Sequence, residues 1–148
     1  MAPKPGEAFV LGIDFGSDSC RAVIVDAAGG SEKGSAVEWY PRWARGLYCD
    51  PGANRFRQHP RDYLETLEGA VKKAVLRAGK EAGGRIRGIA VDTTGATPCA
   101  VDEEGTPLSL KPGFEENPSA MFVLWKDHTA NGEAAEINRL AKTWGGTD

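Results

Sequence analysis

Apolar residues in the first forty positions occur in short runs separated by polar turns. The runs at residues 9–13 and 20–25 predict two β-strands, and a third strand is predicted near residues 33–39, after the turn at 26–30. Strands this close together in sequence favour an antiparallel meander.

A helix is predicted to begin at Pro60, because the first N–H groups of a helix have no partner within it and proline lacks this N–H. Asp62 and Glu65 lie near the positive end of the predicted helix, and residues 83–84 predict its end. The apolar residues that recur at helical spacing predict the buried face: Leu64, Leu67, Val71, Ala74, Val75 and Ala78. The preceding residues, 40–59, are rich in arginine and aromatic residues and predict an irregular loop packed on the domain. A nucleic-acid surface is the alternative, which the acidic charge of the chain disfavours.

Residues 86–91 predict a buried strand, and its connection through the helix favours a parallel crossover. A hairpin is predicted around residues 102–105 and a short strand at 121–125. A final helix is expected to begin near Asp127 or Thr129 and to end at residues 145–146. Its predicted buried residues are Ala134, Ile137, Leu140, Ala141 and Trp144. The order is β-β-β-α-β, a small β insertion, then a strand and a helix, which indicates an α/β fold with a mixed sheet.

The composition is that of one soluble globular domain: 148 residues, 41% hydrophobic, with a net charge of −3. These values argue against nucleic-acid binding, and no apolar run approaches the ~18 residues of a membrane span. Residues 1–8 contain no apolar signal core and are expected to be a disordered lead. Three cysteines without CxxC spacing indicate reduced thiols and a cytoplasmic protein. The chain has two histidines, His59 and His128, which lie far apart in sequence and argue against a zinc site.

The turn between the first two strands carries unusual polarity for a hairpin. Gly16 permits close approach of an anion to the backbone, while Ser17, Ser19 and Arg21 add donors suited to phosphate oxygens. Asp14 is a candidate ligand for Mg²⁺, which uses few carboxylates and keeps several waters. A solvated turn rich in Asp, Ser and Gly remains the alternative.

Two further polar clusters follow predicted strands. Residues 92–98 come after the predicted parallel strand, where ligands of open α/β sheets bind. Residues 125–128 join a strand to the final helix. Hydroxyls bonded to their own backbone explain the first cluster equally well, and a packed tryptophan with a helix cap explains the second.

In order along the chain, five stretches resemble the FGGY carbohydrate kinases of the actin, sugar kinase and heat-shock chaperone ATPase superfamily. Within that family the resemblance is greatest to ribulokinases and runs from about residue 9 to about residue 140. The stretches are GIDFGSDS (12–19), VEWYPRW (37–43), FRQHPRDY (56–63), VDTTGATP (91–98) and NPSAMFVLWKDHT (117–129).

The resemblance implies an RNase H-like fold that binds ATP, Mg²⁺ and a sugar such as L-ribulose, as in L-arabinose catabolism. By position it assigns Asp14 to the metal and assigns the nucleotide phosphates to Gly16, Ser17, Asp18, Ser19 and Arg21. It assigns the sugar to Thr94, Gly95, Ala96 and Trp125. Asp18 and Ala96 depart from the family, since many relatives have Thr at the first position and a polar side chain at the second.

The resemblance also implies that related kinases are much longer and that their catalytic base lies in a later segment. Residues 9–148 are therefore expected to be the N-terminal portion of the first kinase domain, without a catalytic residue and inactive alone. Such an incomplete sheet leaves an edge that favours self-association. The alternatives are another family kinase acting on a different pentulose or polyol, and a non-catalytic binding module.

Overall fold

The first three strands form an antiparallel meander in the computed structural model, which describes residues 3–145. These strands are β1 (Phe9–Phe15), β2 (Ser19–Asp26) and β3 (Glu32–Trp39). In the register, Phe9 pairs with Asp26 and Phe15 with Cys20, so a tight turn joins β1 to β2. The predicted meander is confirmed, with each strand extended by one or two residues at its ends.

The fourth strand of the main sheet makes it mixed. β6 (Ile86–Thr93) pairs in parallel with β1, and the strand order is β3-β2-β1-β6. The crossover from β3 to β6 runs through helix α2 (Pro60–Ala78), as the sequence predicts. The carboxyl ends of β1 and β6 consequently lie side by side.

Helix α2 packs on β2 and β3; its end differs from the prediction, and of its predicted buried face only Leu64 is exposed. It ends at Ala78, with Gly79 as its C-cap, because Gly79 adopts a positive φ of 110°. Residues Gly83–Arg85 form a separate 3₁₀ turn. Leu64 is exposed, whereas the fully buried positions centre on Ala70 and Ala74. The helix turns these small residues inward because its backbone lies directly against the sheet.

The segment predicted as an irregular loop contains regular structure. It includes helix α1 (Pro41–Ala44) and strands β4 (Cys49–Asp50) and β5 (Arg55–Gln58). A second small sheet has the order β4-β5-β7, where β7 is Phe122–Val123. Short 3₁₀ turns complete the connections at Pro51–Ala53, Leu108–Leu110, Pro118–Ala120 and Lys142–Trp144.

An internal ion-pair network fixes α1 against α2. The carboxylate of Asp62, fully buried, accepts hydrogen bonds from the backbone N–H groups of Arg42 and Trp43. The Arg42 guanidinium bridges Asp62 and Glu65 at 2.7 and 2.8 Å. This guanidinium lowers the pKa of Glu65, because its hydrogen bonds favour the charged carboxylate. Asp62 thus organises the preceding segment rather than only favouring the helix dipole.

Two elements predicted to be buried are exposed. β6 forms the sheet edge, and Ile89 and Val91 are 65% and 62% exposed. Helix α3 (Asn131–Ala141) has no buried residue, and it begins after Ala130 without a side-chain cap. Ile137 and Trp144, which the helical pattern placed on a buried face, are both exposed. These four side chains are thus uncovered within residues 3–145, while Leu140 and Ala141 of the same predicted face of α3 are partly buried.

The predicted hairpin around residues 102–105 is reduced to a turn. An isolated bridge joins Val101 to Pro107, and a 3₁₀ turn follows in place of a strand. Met121–Trp125 likewise contains only the two-residue strand β7. The predicted end of the last helix includes Gly146, which lies outside the described residues.

At the N-terminus, residues 3–8, which belong to the lead predicted over residues 1–8, contain a turn. The Glu7 N–H donates to the Lys4 carbonyl, and the Gly6 N–H donates to the buried Asp26 carboxylate at 2.8 Å. Residues 1 and 2 of that lead lie outside the described part. Between residues 3 and 145, no helix has the length and apolar character needed to cross a membrane.

Candidate functional site at the carboxyl ends of β1 and β6

The β1–β2 hairpin brings the predicted metal ligand and the predicted phosphate-binding arginine together. Asp14 and Arg21 are paired across the two strands, and Arg21 Nη1 lies 2.9 Å from Asp14 Oδ2. Both side chains remain partly exposed, so the ion pair is accessible to solvent and to a ligand. The Gly16 N–H donates to the Ser19 carbonyl at 2.9 Å, which closes the turn.

A second carboxylate, not assigned from the sequence, lies beside Asp14. Asp92 occupies the neighbouring position in β6, in parallel register with Asp14. An open depression of about 520 Å³ on this face of the sheet is lined by Asp14, Asp92 and Arg21 and by apolar residues such as Val23. Within residues 3–145 no group of three or more His, Cys, Asp or Glu side chains is arranged for metal binding. Two carboxylates therefore define the acidic end of this surface.

The three remaining polar residues of the hairpin have different environments. Ser17 and Asp18 are partly exposed, whereas Ser19 is fully buried and its hydroxyl donates to Asp18 Oδ1 at 3.0 Å. The Ser19 hydroxyl is thus occupied within the hairpin, and Ser17 presents the more accessible hydroxyl. The carboxylate of Asp18 is turned toward Ser19, which removes one of its oxygens from the outer side of the loop.

Beneath the hairpin, the buried thiol of Cys20 is held neutral. Burial raises its pKa to about 11, with a further contribution from the negative charge of Asp14. Burial likewise raises the pKa of the Tyr63 hydroxyl to about 12. These groups therefore add no negative charge below the hairpin near neutral pH.

The two predicted sugar-binding segments reach the same end of the sheet. The Thr94 N–H donates to the Phe15 carbonyl at 3.1 Å, which ties the residues after β6 to the hairpin. Trp125 Nε1 donates to Ser17 Oγ at 3.3 Å, although the residues are 108 positions apart. Trp125 is half-exposed, so much of its indole ring is available to a ligand.

Within the segment after β6, the predicted residues differ in exposure. Thr94 is partly buried, and its hydroxyl lies 3.2 Å from the Thr97 hydroxyl. Gly95 and Ala96 are exposed and follow directly after this pair. All four residues predicted for sugar binding are thus close to the hairpin or joined to a residue that contacts it.

A nearly buried ion pair fixes the segment that carries Trp125. Asp127 accepts from Arg57 Nε and from the Phe56 N–H, both at 2.8 Å, and also from Thr129. Burial alone would raise the pKa of Asp127, but these hydrogen bonds dominate and hold it well below its ordinary value. Asp127 was predicted as a helix cap; the structure gives it the larger role of joining β5 to the segment before α3.

Lys126 reinforces this attachment through aromatic rings. Its Nζ lies 4.8 Å from the ring centroid of Trp43 and 4.6 Å from that of Phe56. An ammonium group over an aromatic face is attracted by the ring quadrupole. The arginine- and aromatic-rich residues 40–59 therefore hold the site in place, in agreement with the packed-loop interpretation.

Gln58 also reaches the hairpin, although no pattern in the sequence assigned it a role at the site. Its side chain is buried at the end of β5, and Nε2 donates to the Ser17 carbonyl at 2.7 Å. Its Oε1 accepts from the Tyr63 hydroxyl at 2.6 Å. Only the long-range packing of β5 beside the hairpin reveals this role.

Comparison with known proteins supports a relation to carbohydrate kinases. No family model matches the chain. The chain is 50% identical over 139 residues to a ribulokinase of Vibrio parahaemolyticus, covering 94% of the chain and 24% of the relative. It is 36% identical over 142 residues to a ribulokinase of Halalkalibacterium halodurans, covering 93% of the chain and 25% of that relative. The chain thus spans about a quarter of the length of these curated relatives.

Solved structures give the same fold. A xyloylose kinase from Brucella ovis superposes with a TM-score of 0.68 at 21% identity, over 88% of this chain and 23% of that one. A gluconate kinase from Lactobacillus acidophilus gives 0.66 at 12% identity, over 90% and 23%. The predicted fold class and the resemblance to part of a ribulokinase-like carbohydrate kinase are confirmed.

Proposed function

We propose that this chain is the phosphate-binding part of an ATP-dependent kinase that phosphorylates L-ribulose or a similar ketose in the cytoplasm. The observation that carries the proposal is the meeting of the Ser17 hairpin with Trp125 and with the segment that begins at Thr94. Phosphoryl transfer depends mainly on positioning and charge stabilisation, so the nucleotide and sugar sites must adjoin. The sequence identity to ribulokinases, 50% in one case, supports a ketose as the substrate.

In this proposal the hairpin binds the nucleotide phosphates. The hydroxyl of Ser17 and the guanidinium of Arg21 are donors on one accessible loop, and Gly16, whose N–H closes the turn, lets a phosphate approach the backbone. A side-chain Cβ at Gly16 would lie 3.3 Å from the Ser19 carbonyl, so a larger residue would crowd the turn. Asp18 and Ser19 support the loop through their mutual hydrogen bond.

Asp14 and Asp92 suit Mg²⁺. This ion is usually bound through one or two carboxylates and retains several waters, and the two side chains are neighbours at the ends of parallel strands. Arg21 already compensates part of the charge of Asp14. Bound Mg²⁺ would neutralise charge on the nucleotide phosphates, while Asp14 would hold the ion or its waters.

On the sugar side we assign Thr94, Gly95, Ala96 and Trp125. The half-exposed indole offers an apolar surface to the carbon skeleton of a sugar, and the exposed Gly95 and Ala96 leave room beside it. The methyl group of Ala96 cannot hydrogen-bond a substrate hydroxyl. This difference favours a ligand that fills the space with its own carbon chain.

We further propose that residues 9–148 form the N-terminal portion of a kinase domain whose catalytic base and second domain lie elsewhere in a longer protein. The exposed edge of β6 and the unburied α3 support this division, because both present apolar residues that a complete domain would cover. In isolation the same surfaces favour self-association. We assign no residue of this chain as the catalytic base.

The test uses two proteins separately: the chain itself and a longer kinase that contains it. Isothermal titration of the chain with MgATP should give a Kd of about 1 mM or weaker, because an open loop does not enclose the nucleotide. No sugar phosphorylation is expected from the chain at high protein concentration. Micromolar binding, or turnover abolished by Asp14→Ala, would show that the chain contains a complete site.

For the longer kinase, ADP release should be measured on a panel of ketoses and polyols. Phosphorylation of L-ribulose is expected, and Asp14→Ala should lower kcat far more than it raises the KM for sugar, since the metal acts chiefly in the transition state. Activity on glycerol or D-xylulose, without activity on L-ribulose, would refute the assigned substrate but leave the assignment as a sugar kinase intact. A preserved kcat with a raised sugar KM would refute the role of Asp14.

A further inference from the structure

The tip of the β1–β2 hairpin carries two consecutive backbone N–H groups without a protein acceptor. Neither the Ser17 N–H nor the Asp18 N–H donates to any atom within residues 3–145, whereas the preceding Gly16 N–H donates to the Ser19 carbonyl. Successive free N–H groups in a turn form a concavity suited to anions. These N–H groups can bind a phosphate only if their peptide planes are oriented so that the N–H bonds face solvent.

Two carbonyl groups of the tip are held from the protein side, and that of Ser17 shares a peptide plane with the Asp18 N–H. The Ser17 carbonyl accepts from Gln58 Nε2 at 2.7 Å, and the Asp18 carbonyl accepts from the Tyr40 N–H at 2.9 Å. In a trans peptide the carbonyl and the following N–H point in opposite directions. Holding the Ser17 carbonyl toward buried Gln58 therefore turns the Asp18 N–H away from the interior.

The orientation of the Gln58 amide is determined by its partners. The Ser17 carbonyl can only accept a hydrogen bond, so the amide nitrogen must face it. The amide oxygen then faces the Tyr63 hydroxyl, which donates to it at 2.6 Å. Tyr63 itself stacks against the rings of Phe15 and Tyr40, at centroid distances of 5.4 and 4.9 Å.

The backbone of Gln58 is fixed as firmly as its side chain. Gln58 pairs with Phe122 of β7, and the next residue, His59, is the N-cap of α2. The imidazole of His59 accepts from the Arg61 N–H at 3.0 Å, which stabilises this start of the helix. The amide of Gln58 is thus presented to the hairpin from a rigid junction of strand and helix.

We propose that Gln58, oriented by Tyr63, is a positioning residue that holds the Ser17–Asp18 peptide so that its N–H faces an incoming nucleotide phosphate. This inference rests on the proposed function for the identity of the ligand, but not for the order of the loop. The position of the Asp18 carboxylate is compatible with a phosphate beside the Asp18 N–H. Its hydrogen bond from Ser19 turns one oxygen toward the hairpin.

The test uses the 148-residue chain and backbone ¹⁵N relaxation at Ser17 and Asp18. Gln58→Met keeps the length of the side chain and removes both hydrogen bonds. In the parent we expect order parameters of about 0.85 at these amides, and in Gln58→Met values below about 0.6. Tyr63→Phe should produce a smaller change, because the Gln58 amide can still donate to Ser17.

Thr66→Val is the matched control. Thr66 is also buried on α2, and its hydroxyl donates to the Asp62 carbonyl without touching the hairpin. It should leave the order parameters of Ser17 and Asp18 unchanged. An ordered tip in Gln58→Met, or an equal loosening in Thr66→Val, would overturn the inference.

Titration with MgATP, followed by the amide shifts of Ser17 and Asp18, tests the connection to phosphate. Gln58→Met should weaken binding about five- to tenfold, since only the fraction of molecules with a correctly oriented tip can bind. Unchanged affinity despite a disordered tip would overturn the positioning role. If the parent gave no shifts even at MgATP concentrations about tenfold above 1 mM, the assignment of phosphate binding to this hairpin would fail, and the order parameters would still decide whether Gln58 holds the loop.

Discussion

Replacing Gly34 by alanine tests how closely α2 lies on the sheet. A Cβ at Gly34 would lie 2.6 Å from both the Ala74 carbonyl oxygen and the Ala78 backbone nitrogen. Both are backbone atoms of α2, so no side chain can rotate away to make room. The helix and β3 must separate for the methyl group to fit.

The size of that separation sets the expected loss of stability. Ordinary contacts begin near 3.4 Å, so the helix must retreat by about 0.8 Å, and gaps of 0.5–1 Å lose a quarter to a half of each dispersion contact. Tightly packed Ala70 and Ala74 face the sheet at this point and would lose contacts together. Relief of glycine entropy returns about 0.5–1 kcal/mol. We expect a net loss of about 2 kcal/mol, within the range for overpacking.

Urea denaturation of the chain, with the slope m shared between variants, measures the change. Gly88→Ala is the matched control, because Gly88 also lies in a strand of the main sheet and its Cβ would only meet Val10 Cγ1 at 3.8 Å. That variant should be neutral or stabilised by about 0.5 kcal/mol. Equal stability of the two variants would show that α2 does not approach β3 as described.

Two further substitutions and one labelling experiment have expected outcomes. Gly69→Ala should stabilise by about 0.5–1 kcal/mol in urea denaturation, because the new methyl meets only the flexible side chain of Glu38 and alanine favours the helix. Asp127→Asn should destabilise by about 3 kcal/mol, since it leaves the nearly buried guanidinium of Arg57 unpaired; an unchanged midpoint would contradict this. The pKa of Asp127 is depressed, so its stabilisation is present above the unfolded pKa of about 4 and is lost as pH falls toward the native pKa. Acid titration of stability should therefore be shallower in Asp127→Asn. A thiol reagent at pH 8 should modify partly exposed Cys49 before buried Cys20, which should react only on unfolding; early labelling of Cys20 would disprove its burial.

Local patterns predicted the meander and the crossover because both depend on short-range signals. The strands β1 to β3 alternate with turn residues, and the periodic segment that became α2 connects β3 to β6. The apolar pattern also predicted the buried face of α2, except for Leu64, which is exposed. Gly34 allows the helix backbone to lie against β3, and this contact selects Ala70 and Ala74 over the larger Leu64.

The prediction that β6 and α3 are buried was wrong for a different reason. The apolar residues of β6 and α3 predict burial, but burial requires a covering surface that the local sequence does not supply. Ile89 in β6 and Ile137 in α3 are exposed although each follows the pattern of a buried residue. The pattern records where apolar side chains occur, and only tertiary packing determines whether they are covered.

The candidate site combines local signals with contacts that no local signal contains. Asp14 and Arg21 were recognisable because a short hairpin places them in the same pair of strands. Gln58 and Trp125 reach Ser17 across 41 and 108 positions, so their meeting depends on the second sheet and on the Arg57–Asp127 ion pair. The polarity of the hairpin has two causes as a result. Some of its groups remain open to a ligand, while others, such as the Ser17 carbonyl, are needed to hold the open ones in place.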